Sequence, residues 1–544
     1  MENRRIVLAI ALVLFVWSGF NMLFPPADKE LQDKQVTTEE TQVVKKSTPE
    51  KISPLLSVPA PSSGQVASER IIKVNSDLFD LTFSTSGARL IEAQLLKFKK
   101  TNTPDSPLVK IVNAQSAELG SYGISGGDGF YLPGDSIYNF SSDKDVISLS
   151  DSDKTELVFQ TTTKDNVRVI KIFTFYPNKY FFDINVFVDN LSDTVKKGSL
   201  NLSLVNVIDE TKKSDRYNFV GPASFNGKDL LDDSIKDLKE SSKTYGNEIL
   251  WTSFETKYFA NIIKPFTNSV NSLDISFNNN IVSNTISSVP LSFEKNTKQS
   301  FKYTAYLGPR DLDLLKEPGL SFDKIIDLGF FDIIAKPLKI ALKFFYGYLG
   351  NYGFAIVLLT VCIKAIFWPL TQKSYSSMKD MQKLQPQMQK MRAKHGKDKT
   401  KLNQEMMALY KENRVNPFGG CLPMLVQIPV FFALYQVLLG GIELRHAPFM
   451  LWITDLSAAD TLISDAMNLG FTLGPLPLIM GFTMFLQQKM SPTNMDPTQA
   501  KIMLFMPVFF TFIFLNFPSG LVIYWLVNNL LTIAQQYLIN RKPA

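Results

Sequence analysis

The chain has 544 residues, a formal net charge of +6 and 45% hydrophobic residues, but only two cysteines and two histidines. These small numbers exclude a disulfide-stapled fold and a cysteine-rich zinc site, and they leave little for histidine-dependent catalysis. Four stretches contain no Asp, Glu, Lys or Arg, namely 6–24, 418–440, 469–488 and 502–540. Uncharged runs of about 20 residues match the ~30 Å hydrocarbon thickness of a bilayer, so the sequence predicts a membrane protein.

The first segment, residues 1–24, is predicted to be an uncleaved transmembrane anchor. Arg4 and Arg5 precede an uncharged run that is longer than the apolar core of a signal peptide and lacks a small-x-small cleavage site. The two arginines favour a cytoplasmic N-terminus. Residues 25–68 are rich in Pro, Ser, Thr, Lys and Glu without periodicity, which predicts a flexible linker.

Residues 69–320 change to a period of two, which is typical of β-strands. Apolar and polar residues alternate through 79–83, 182–188 and 199–204, and turn-forming pairs such as Pro177-Asn178 separate such runs. The segment therefore predicts a large all-β domain of the sandwich type, in which one face of each sheet is buried.

Residues 321–348 predict an amphipathic helix that lies in the headgroup plane of the membrane. Lys336, Lys339 and Lys343 recur at helical spacing among apolar residues, which makes a poor span but suits the interface. The alternative is a helix packed against the β domain.

Five further spans are predicted, at 349–372, 418–440, 469–488, 502–517 and 519–540. Among the polar connections, 371–417 carries 11 Lys or Arg against 4 acidic residues, whereas 441–468 carries one against four. The positive-inside rule then places both termini in the cytoplasm and the β domain outside. Two of these spans are short, at about 16 residues or ~24 Å. They favour a locally thinned bilayer, unless flanking side chains make up the difference.

Lys364 is the only charged residue of 349–372, and none of the spans contains Asp or Glu. A bare charge in hydrocarbon costs about 2.5–3.5 kcal/mol, so this ammonium needs water, an anion or polar protein groups. It either extends to the headgroups or lines a wet cavity open to the cytoplasm. Its candidate companions are neutral, and each is equally suited to an ordinary helix–helix hydrogen bond. They are Thr360, Gln427, Gln487, Asn528, Asn529, Thr532, Gln535 and Gln536.

The segment 371–417 predicts a cytoplasmic helical hairpin with a break at His395-Gly396-Lys397. Its methionine-rich faces would adapt to varied apolar partners, and its basic surface would suit ribosomal RNA or anionic lipid. The alternative is that the two arms simply pack on each other.

Catalytic motifs are absent from the sequence. It contains no GxxxxGK[ST], GxSxG, HExxH or CxxC pattern, and 69–320 contains neither histidine nor cysteine. We therefore expect no enzymatic activity, no cofactor and no metal.

Three motifs closely resemble the signature of the YidC membrane-protein insertase family. They are VNPFGGCLPMLVQIPVFFALY at 415–435, QQKMSP at 487–492 and FPSGLVIYW at 517–525. The resemblance is continuous from about 334 to 540. An N-terminal anchor followed by a large outside β domain is similar to the Gram-negative form of this family.

This resemblance implies an α-helical membrane bundle of six spans, five of them forming an insertase core at 349–544, and a periplasmic β-supersandwich domain. It also implies a cytoplasm-open hydrophilic groove whose cation is Lys364, where family members often have arginine. Lysine keeps the charge but loses the two-pronged grip of a guanidinium on a carboxylate. The client-binding groove residues implied by the family are Lys364, Thr360, Gln427, Gln487, Tyr524, Trp525, Asn529 and Thr532.

The function predicted in this way is that of an insertase and folding chaperone of the bacterial inner membrane. Expected partners are nascent membrane proteins, the phospholipid bilayer, the Sec translocon, and a ribosome or targeting receptor that meets the hairpin. One alternative is an anion transporter or channel that uses Lys364, although internal repeats and a second cationic site are missing. Another alternative is a membrane-tethered sugar-binding or sugar-modifying protein.

Overall fold

The computed structural model describes residues 68–541, except for 115, 150–151, 209–218, 267–269, 396–397, 414, 416–421 and 491–496. The predicted anchor at 1–24 and the predicted linker up to residue 67 lie outside the described residues. So do the first part of the 415–435 motif, the end of the 487–492 motif and the centre of the predicted hairpin break.

Alternating apolar and polar side chains, separated by turns, give twenty β-strands within the described residues. The strands are β1 (Ile71–Asn75), β2 (Phe79–Ser84), β3 (Arg89–Lys99), β4 (Leu108–Asn113), β5 (Gly123–Gly127), β6 (Asn139–Phe140), β7 (Val146–Ser148), β8 (Thr155–Thr162), β9 (Val167–Phe175), β10 (Phe181–Asn190), β11 (Lys196–Val207), β12 (Gly221–Phe225), β13 (Leu230–Asp232), β14 (Lys243–Tyr245), β15 (Trp251–Glu255), β16 (Phe259–Pro265), β17 (Val270–Asn278), β18 (Ile281–Ser288), β19 (Leu291–Phe293) and β20 (Lys298–Pro309).

These described strands form three sheets. The largest has nine strands in the order β13-β12-β15-β16-β20-β10-β9-β8-β6. The second has the order β14-β17-β18-β11-β19, with β5 also paired to β11, and the third has the order β4-β3-β2-β1-β7. Strand β10 pairs antiparallel with both β9 and β20, so that Ile184 lies between Phe173 and Tyr303.

The core of this β domain includes the side chains whose alternation predicted inward-facing positions. All of them are buried: Phe79, Leu81, Phe83, Phe182, Ile184, Val186, Val188, Leu200, Leu202 and Leu204. Aromatic rings meet within this core, for example Phe83 and Phe173, whose centroids lie 4.8 Å apart. The predicted large all-β domain is confirmed.

Eleven α-helices lie within the described residues. Two short ones belong to the β domain, α1 (Ile235–Glu240) and α2 (Leu312–Lys316). The others follow it: α3 (Asp332–Leu349), α4 (Tyr352–Lys383), α5 (Gln385–His395), α6 (Lys399–Glu412), α7 (Leu422–Gly440), α8 (Leu462–Met467), α9 (Pro475–Met490), α10 (Pro497–Phe514) and α11 (Ser519–Arg541).

Helices α3, α4, α7, α9, α10 and α11 share a second apolar core, which contains Ile356, Val437, Met480 and Leu521. Among the described helices, α4 is the one that is both long and apolar enough to cross a membrane. Shorter apolar stretches lie at Leu425–Gly440 and Met503–Phe514. A helical core beside the β domain is therefore present, whereas the count of six spans remains a prediction.

Helix α3 lies within the segment predicted to be an amphipathic helix, and its interfacial location remains a prediction. It begins at Asp332 rather than near residue 321, after 3₁₀ turns at Phe322–Ile325 and Gly329–Phe331. Two of its lysines contact carboxylates of other segments, as Lys339 does with Glu443 at 3.3 Å. A separate side of the helix carries exposed apolar side chains, listed here: Ile333, Ile340, Phe344 and Tyr348.

Helices α5 and α6 form the two arms predicted for the hairpin. Leu384, Met388, Leu409 and Tyr410 are buried together between the arms. The Tyr410 hydroxyl contacts the Met388 sulfur at 3.7 Å. The methionine-rich faces therefore pack on each other, which was the alternative to an open binding surface.

Candidate functional site: a polar cluster between the helices

Lys364 lies on the long apolar helix α4, one helical turn after Thr360. Asn351 caps the start of this helix, since its side chain accepts a hydrogen bond from the Phe354 N–H. The Thr360 hydroxyl donates to the Ile356 carbonyl at 2.7 Å, so this predicted groove residue is satisfied within its own helix. Helical spacing then places Lys364 on the side of α4 that faces α11.

Helix α11 presents a polar stripe at intervals of three and four residues, formed by Asn528, Asn529, Thr532, Gln535 and Gln536. Four of these residues, Asn529, Thr532, Gln535 and Gln536, are buried. Because buried polar side chains are costly without partners, each of them requires a hydrogen bond from a neighbouring helix. The stripe therefore fixes how α11 packs against its neighbours.

The Lys364 ammonium is held by two neutral residues of this stripe. Its Nζ donates to Thr532 Oγ1 at 2.6 Å and, more weakly, to Asn528 Oδ1 at 3.5 Å. The Thr532 hydroxyl in turn donates to the Asn528 main-chain carbonyl at 2.7 Å. Only 8% of Lys364 is exposed. In this conformation its charge is covered by polar protein groups and does not extend to the headgroups.

Asn528 also connects the cluster to helix α7. Its Oδ1 accepts a hydrogen bond from Gln427 Nε2 at 3.1 Å, so one amide oxygen serves both Gln427 and Lys364. The Gln427 side chain further hydrogen-bonds Tyr524, a buried residue of α11. Asn528 was among the predicted companions of Lys364 but not among the implied groove residues. Its position four residues before Thr532 is the sequence signal that identifies it.

Two further groups of hydrogen bonds extend the stripe. Asn529 Nδ2 donates to Thr483 Oγ1 of α9 at 3.3 Å. Gln535 Nε2 donates to the Trp368 carbonyl of α4 at 3.3 Å, while its buried Oε1 has no partner among the described residues. Gln536 Nε2 donates to the Tyr375 hydroxyl at 2.7 Å. Helix α11 is thus hydrogen-bonded to α4, α7 and α9.

The remaining implied groove residues lie beside this cluster. Trp525 belongs to an aromatic group in which its ring is 4.9 Å from Phe431 and 5.0 Å from Phe514. Gln487 lies on α9, one turn after Thr483, and is half-buried. Among the described residues, no carboxylate lies within 4 Å of the Lys364 ammonium, and the cluster is a neutral cradle around one cation.

At the opposite end of the helices, the 441–474 loop fastens several elements together. The buried carboxylate of Asp460 accepts hydrogen bonds from the Leu476 N–H at 2.8 Å and from Trp452 Nε1 at 3.1 Å, so it caps the start of α9. Arg445 of the same loop donates to the carbonyls of Lys99 and Lys100 in the β domain. The loop therefore joins the β domain to the helical core.

Comparisons with known proteins find separate family matches for the β domain and for the helical core. Residues 71–341 match the family described as YidC periplasmic domain, and residues 344–544 match the 60Kd inner membrane protein family. The membrane protein insertase YidC of Pelobacter propionicus is 40% identical over 545 residues, covering 99% of both chains. That of Geotalea daltonii is 41% identical over 541 residues, also covering 99% of both.

A solved structure of an active YidC insertase with its first transmembrane domain resolved covers 87% of this chain and 93% of its own, at 20% identity and a TM-score of 0.37. That TM-score is too low to support an argument, so the assignment depends on the sequence matches. The assignment depends on two family matches that together extend from 71 to 544. It also depends on relatives that are 40–41% identical over almost the whole chain. The chain belongs to the YidC family of membrane protein insertases.

Proposed function

We propose that this chain, as a membrane protein insertase, uses the Lys364 cluster to receive the polar outer segment of a client protein. One observation carries the proposal: the ammonium contacts neutral acceptors on Thr532 and Asn528 and no carboxylate among the described residues. Neutral acceptors hold a cation more weakly than a carboxylate does. An acidic client segment therefore competes successfully for Lys364.

In this proposal, residues 349–372, 418–440, 469–488, 502–517 and 519–540 span the inner membrane together with 1–24. Both termini and the 371–417 hairpin lie in the cytoplasm, and the β domain lies in the periplasm. The charge difference between the 371–417 and 441–468 connections supports this orientation. The exposed apolar side of α3 supports its location in the outer headgroup region.

The client helix moves from the polar cluster sideways into lipid. Thr360, Gln427, Gln487, Asn529 and Thr532 would line the polar entry, with Tyr524 and Trp525 beside it. Burial of apolar surface, at about 25 cal/mol per Å², supplies the driving force. The membrane potential adds about 2.3 kcal/mol per 100 mV for each acidic charge that moves outward. No nucleotide, metal or cofactor is required of this chain.

Partners other than client and bilayer are assigned by chemistry. The hairpin between α5 and α6 carries the basic surface that would meet a ribosome or a targeting receptor. The Sec translocon is a further proposed partner, for those clients that need both this insertase and the translocon. Membership of an insertase family confirms that the chain is not an enzyme, and it leaves the anion-transporter alternative without support.

The test is insertion by the purified full chain in liposomes, with two clients that differ only in having acidic or neutral outer segments. Lys364→Glu should reduce insertion of the acidic client by about tenfold or more, because two unit charges 4 Å apart interact by about 1–4 kcal/mol. Lys364→Arg is the matched control and should retain insertion. Equal insertion of the acidic client by the Lys364→Glu variant would refute the proposed role.

A second test concerns the β domain. Deletion of 69–320 should leave most insertion activity intact, because the polar cluster lies wholly on helices that follow this domain. The contrary outcome is a deletion variant that still incorporates into liposomes and yet inserts no client at all. That result would favour the sugar-protein alternative, in which the spans are only an anchor.

A further inference from the structure

The 441–474 loop contains a tight turn whose tip is apolar. The Ile453 N–H donates to the Met450 carbonyl at 3.1 Å, and the Phe449 N–H donates to the Ile453 carbonyl at 3.0 Å. Leu451, at the tip, has a φ of +56° and is 80% exposed, while Met450 is 44% exposed. Leucine is disfavoured in the left-handed region, where glycine or asparagine is usual. Neither the backbone conformation nor packing against the described residues therefore explains a leucine here.

The contacts of this loop fix its level along the helices. The Asn351 side-chain N–H donates to the Phe449 carbonyl at 2.9 Å, and the rings of Phe354 and Phe449 are 5.1 Å apart. The Ala458 carbonyl accepts from both the N–H and the hydroxyl of Ser519. The loop is therefore attached to the first turns of α4 and α11, at the boundary where the apolar helices begin.

We propose that Met450 and Leu451 insert into the outer leaflet of the bilayer beside α4, as an interfacial anchor separate from α3. The proposal rests on the orientation given under Proposed function. The occupant is lipid because the tip is continuous with the span itself, whose first turn carries the exposed Phe354. The next residue, Trp452, hydrogen-bonds Asp460 with its indole N–H, and such amphipathic rings are typical of the membrane–water boundary.

The exposed apolar surface extends beyond the turn. Three more large apolar side chains in the loop are exposed: Leu462, Met467 and Phe471. A soluble loop of this length would carry polar residues at such positions, because nothing in the described part of the chain covers them. A polar residue of the loop, Arg445, instead hydrogen-bonds main-chain carbonyls of the β domain. The loop thus has one side for the β domain and one for lipid.

The experiment is electron paramagnetic resonance on the full chain in proteoliposomes. A nitroxide is attached at Leu451→Cys, in a background in which Cys362 and Cys421 are replaced by alanine. Power saturation with oxygen and with a water-soluble nickel complex gives the depth of the label. The expected depth is about 5–10 Å below the lipid phosphates. Asp465→Cys, an exposed polar position of the same loop, is the matched control and should remain accessible to nickel.

The outcomes separate lipid from other occupants. Nickel accessibility at position 451 equal to that at 465 would overturn the proposal. So would spin–spin broadening that disappears on dilution with unlabelled chain, since a second copy would then cover the tip. A label shielded from both reagents would indicate a protein partner and would also overturn it.

A second variant guards against misfolding. Leu451→Asn suits the positive φ and should keep the fold, but a label at Met450→Cys in that variant should move outward towards water. Insertion of the acidic client is measured in the same liposomes. A water-exposed turn with normal, Lys364-dependent insertion refutes this anchor alone, whereas loss of the Lys364 dependence refutes the proposed function.

Discussion

Lys343 and Asp311 form an ion pair with a distance of 3.2 Å from Nζ to Oδ2. Asp311 caps helix α2, two residues after strand β20 ends at Pro309, so the pair ties α3 to the β domain. Asp313 and Glu443 also lie near the same ammonium, at 2.7 and 3.4 Å. Lys343 therefore joins three segments of the chain: α2 of the β domain, α3 and the 441–474 loop. The lysines of α3 act mainly in contacts with protein carboxylates, and the apolar side of the helix is left exposed.

The stability that the Lys343–Asp311 pair contributes should be lost at low pH, where Asp311 becomes protonated. Burial raises the pKa of Asp311, but the Lys343 charge and the N–H groups of Leu314 and Asp313 outweigh it and hold this pKa below its usual 3.8. A depressed carboxyl pKa contributes stability that is present above about pH 4 and is lost as the pH falls further. The protection factors of the α3 amides, which correct for the intrinsic exchange rate at each pH, should therefore fall below pH 4.

The matched variant for this prediction is Asp311→Asn, which removes the charge but keeps an acceptor for the cap of α2. It should destabilise the attachment of α3 by about 1 kcal/mol at neutral pH, as partly exposed ion pairs do. Its α3 protection factors should depend less on pH between 3 and 6 than those of the wild type. A wild-type and variant that respond identically to acid would contradict the role of this pair.

Thr532 is expected to compete with the client for Lys364. Thr532→Val keeps the shape of the side chain but removes the acceptor that lies 2.6 Å from the ammonium. The resting cluster should lose about 1–3 kcal/mol, the cost of a buried polar group without its partner. We expect more photocrosslinking between the Lys364 region and a stalled acidic nascent chain. Thr532→Ser retains the hydroxyl and should behave like wild type; reduced crosslinking in the valine variant would count against this competition.

Asp460 is predicted to stabilise the start of α9. Asp460→Ala removes the acceptor for the Leu476 N–H and for the Trp452 indole, at a cost of about 1–3 kcal/mol. Thermal unfolding in nanodiscs, with proteolytic cleavage of the 441–474 loop as the readout, would measure the effect. Asp460→Asn keeps one carbonyl oxygen and should lose less. A melting temperature unchanged in the alanine variant would show that the cap is dispensable.

Glu255 should make the β domain less stable in alkali. Burial raises its pKa to about 7, against the opposing charge of Arg310 at 3.3 Å. The folded state therefore keeps a proton that the unfolded state releases near pH 4.5, so stability falls as the pH rises from 4.5 through about 7. This group contributes at most about 3 kcal/mol to that fall.

Glu255→Gln tests this prediction, because glutamine fills the same space without a charge. Chemical unfolding of the full chain in detergent, monitored at pH 5.5 and pH 8, should show a smaller loss of stability in the variant. The two proteins should be most alike at pH 5.5, where Glu255 is protonated. A variant with the same pH dependence as wild type would assign the effect to another group.

The sequence was most informative where one periodicity dominates. The alternation in 182–188, interrupted only by Phe187, identified inward-facing residues because a strand in a sheet has only two faces. Helix ends were predicted less well, since the end of an apolar run is not the end of a helix. Helix α4 continues through Pro369 to Lys383, well past the predicted limit at 372. The span in α10 was predicted to start at 502, just after the charge of Lys501. The helix itself starts earlier, at Pro497, because proline is a favoured first helical residue.

The polar cluster could be predicted only in part. A lone lysine in an apolar helix indicates a site by its desolvation cost alone, and Lys364 was identified on that basis. Its partners could not be ranked, because several polar residues of other helices were equally suitable and their selection depends on how the helices pack. The partners of the α3 lysines could not be predicted for a similar reason, since Asp311, Asp313 and Glu443 are distant in sequence from the lysines they contact.

The double attachment of the 441–474 loop has a mechanical consequence. Arg445 is bonded to main-chain carbonyls of the β domain, and Asn102 of that domain donates to the Thr454 carbonyl. The same loop holds the first turns of α4 and α11, the two helices that carry Lys364 and Thr532. A displacement of the β domain relative to the helices would therefore act, through this loop, on the starts of both helices that hold Lys364 and Thr532 together.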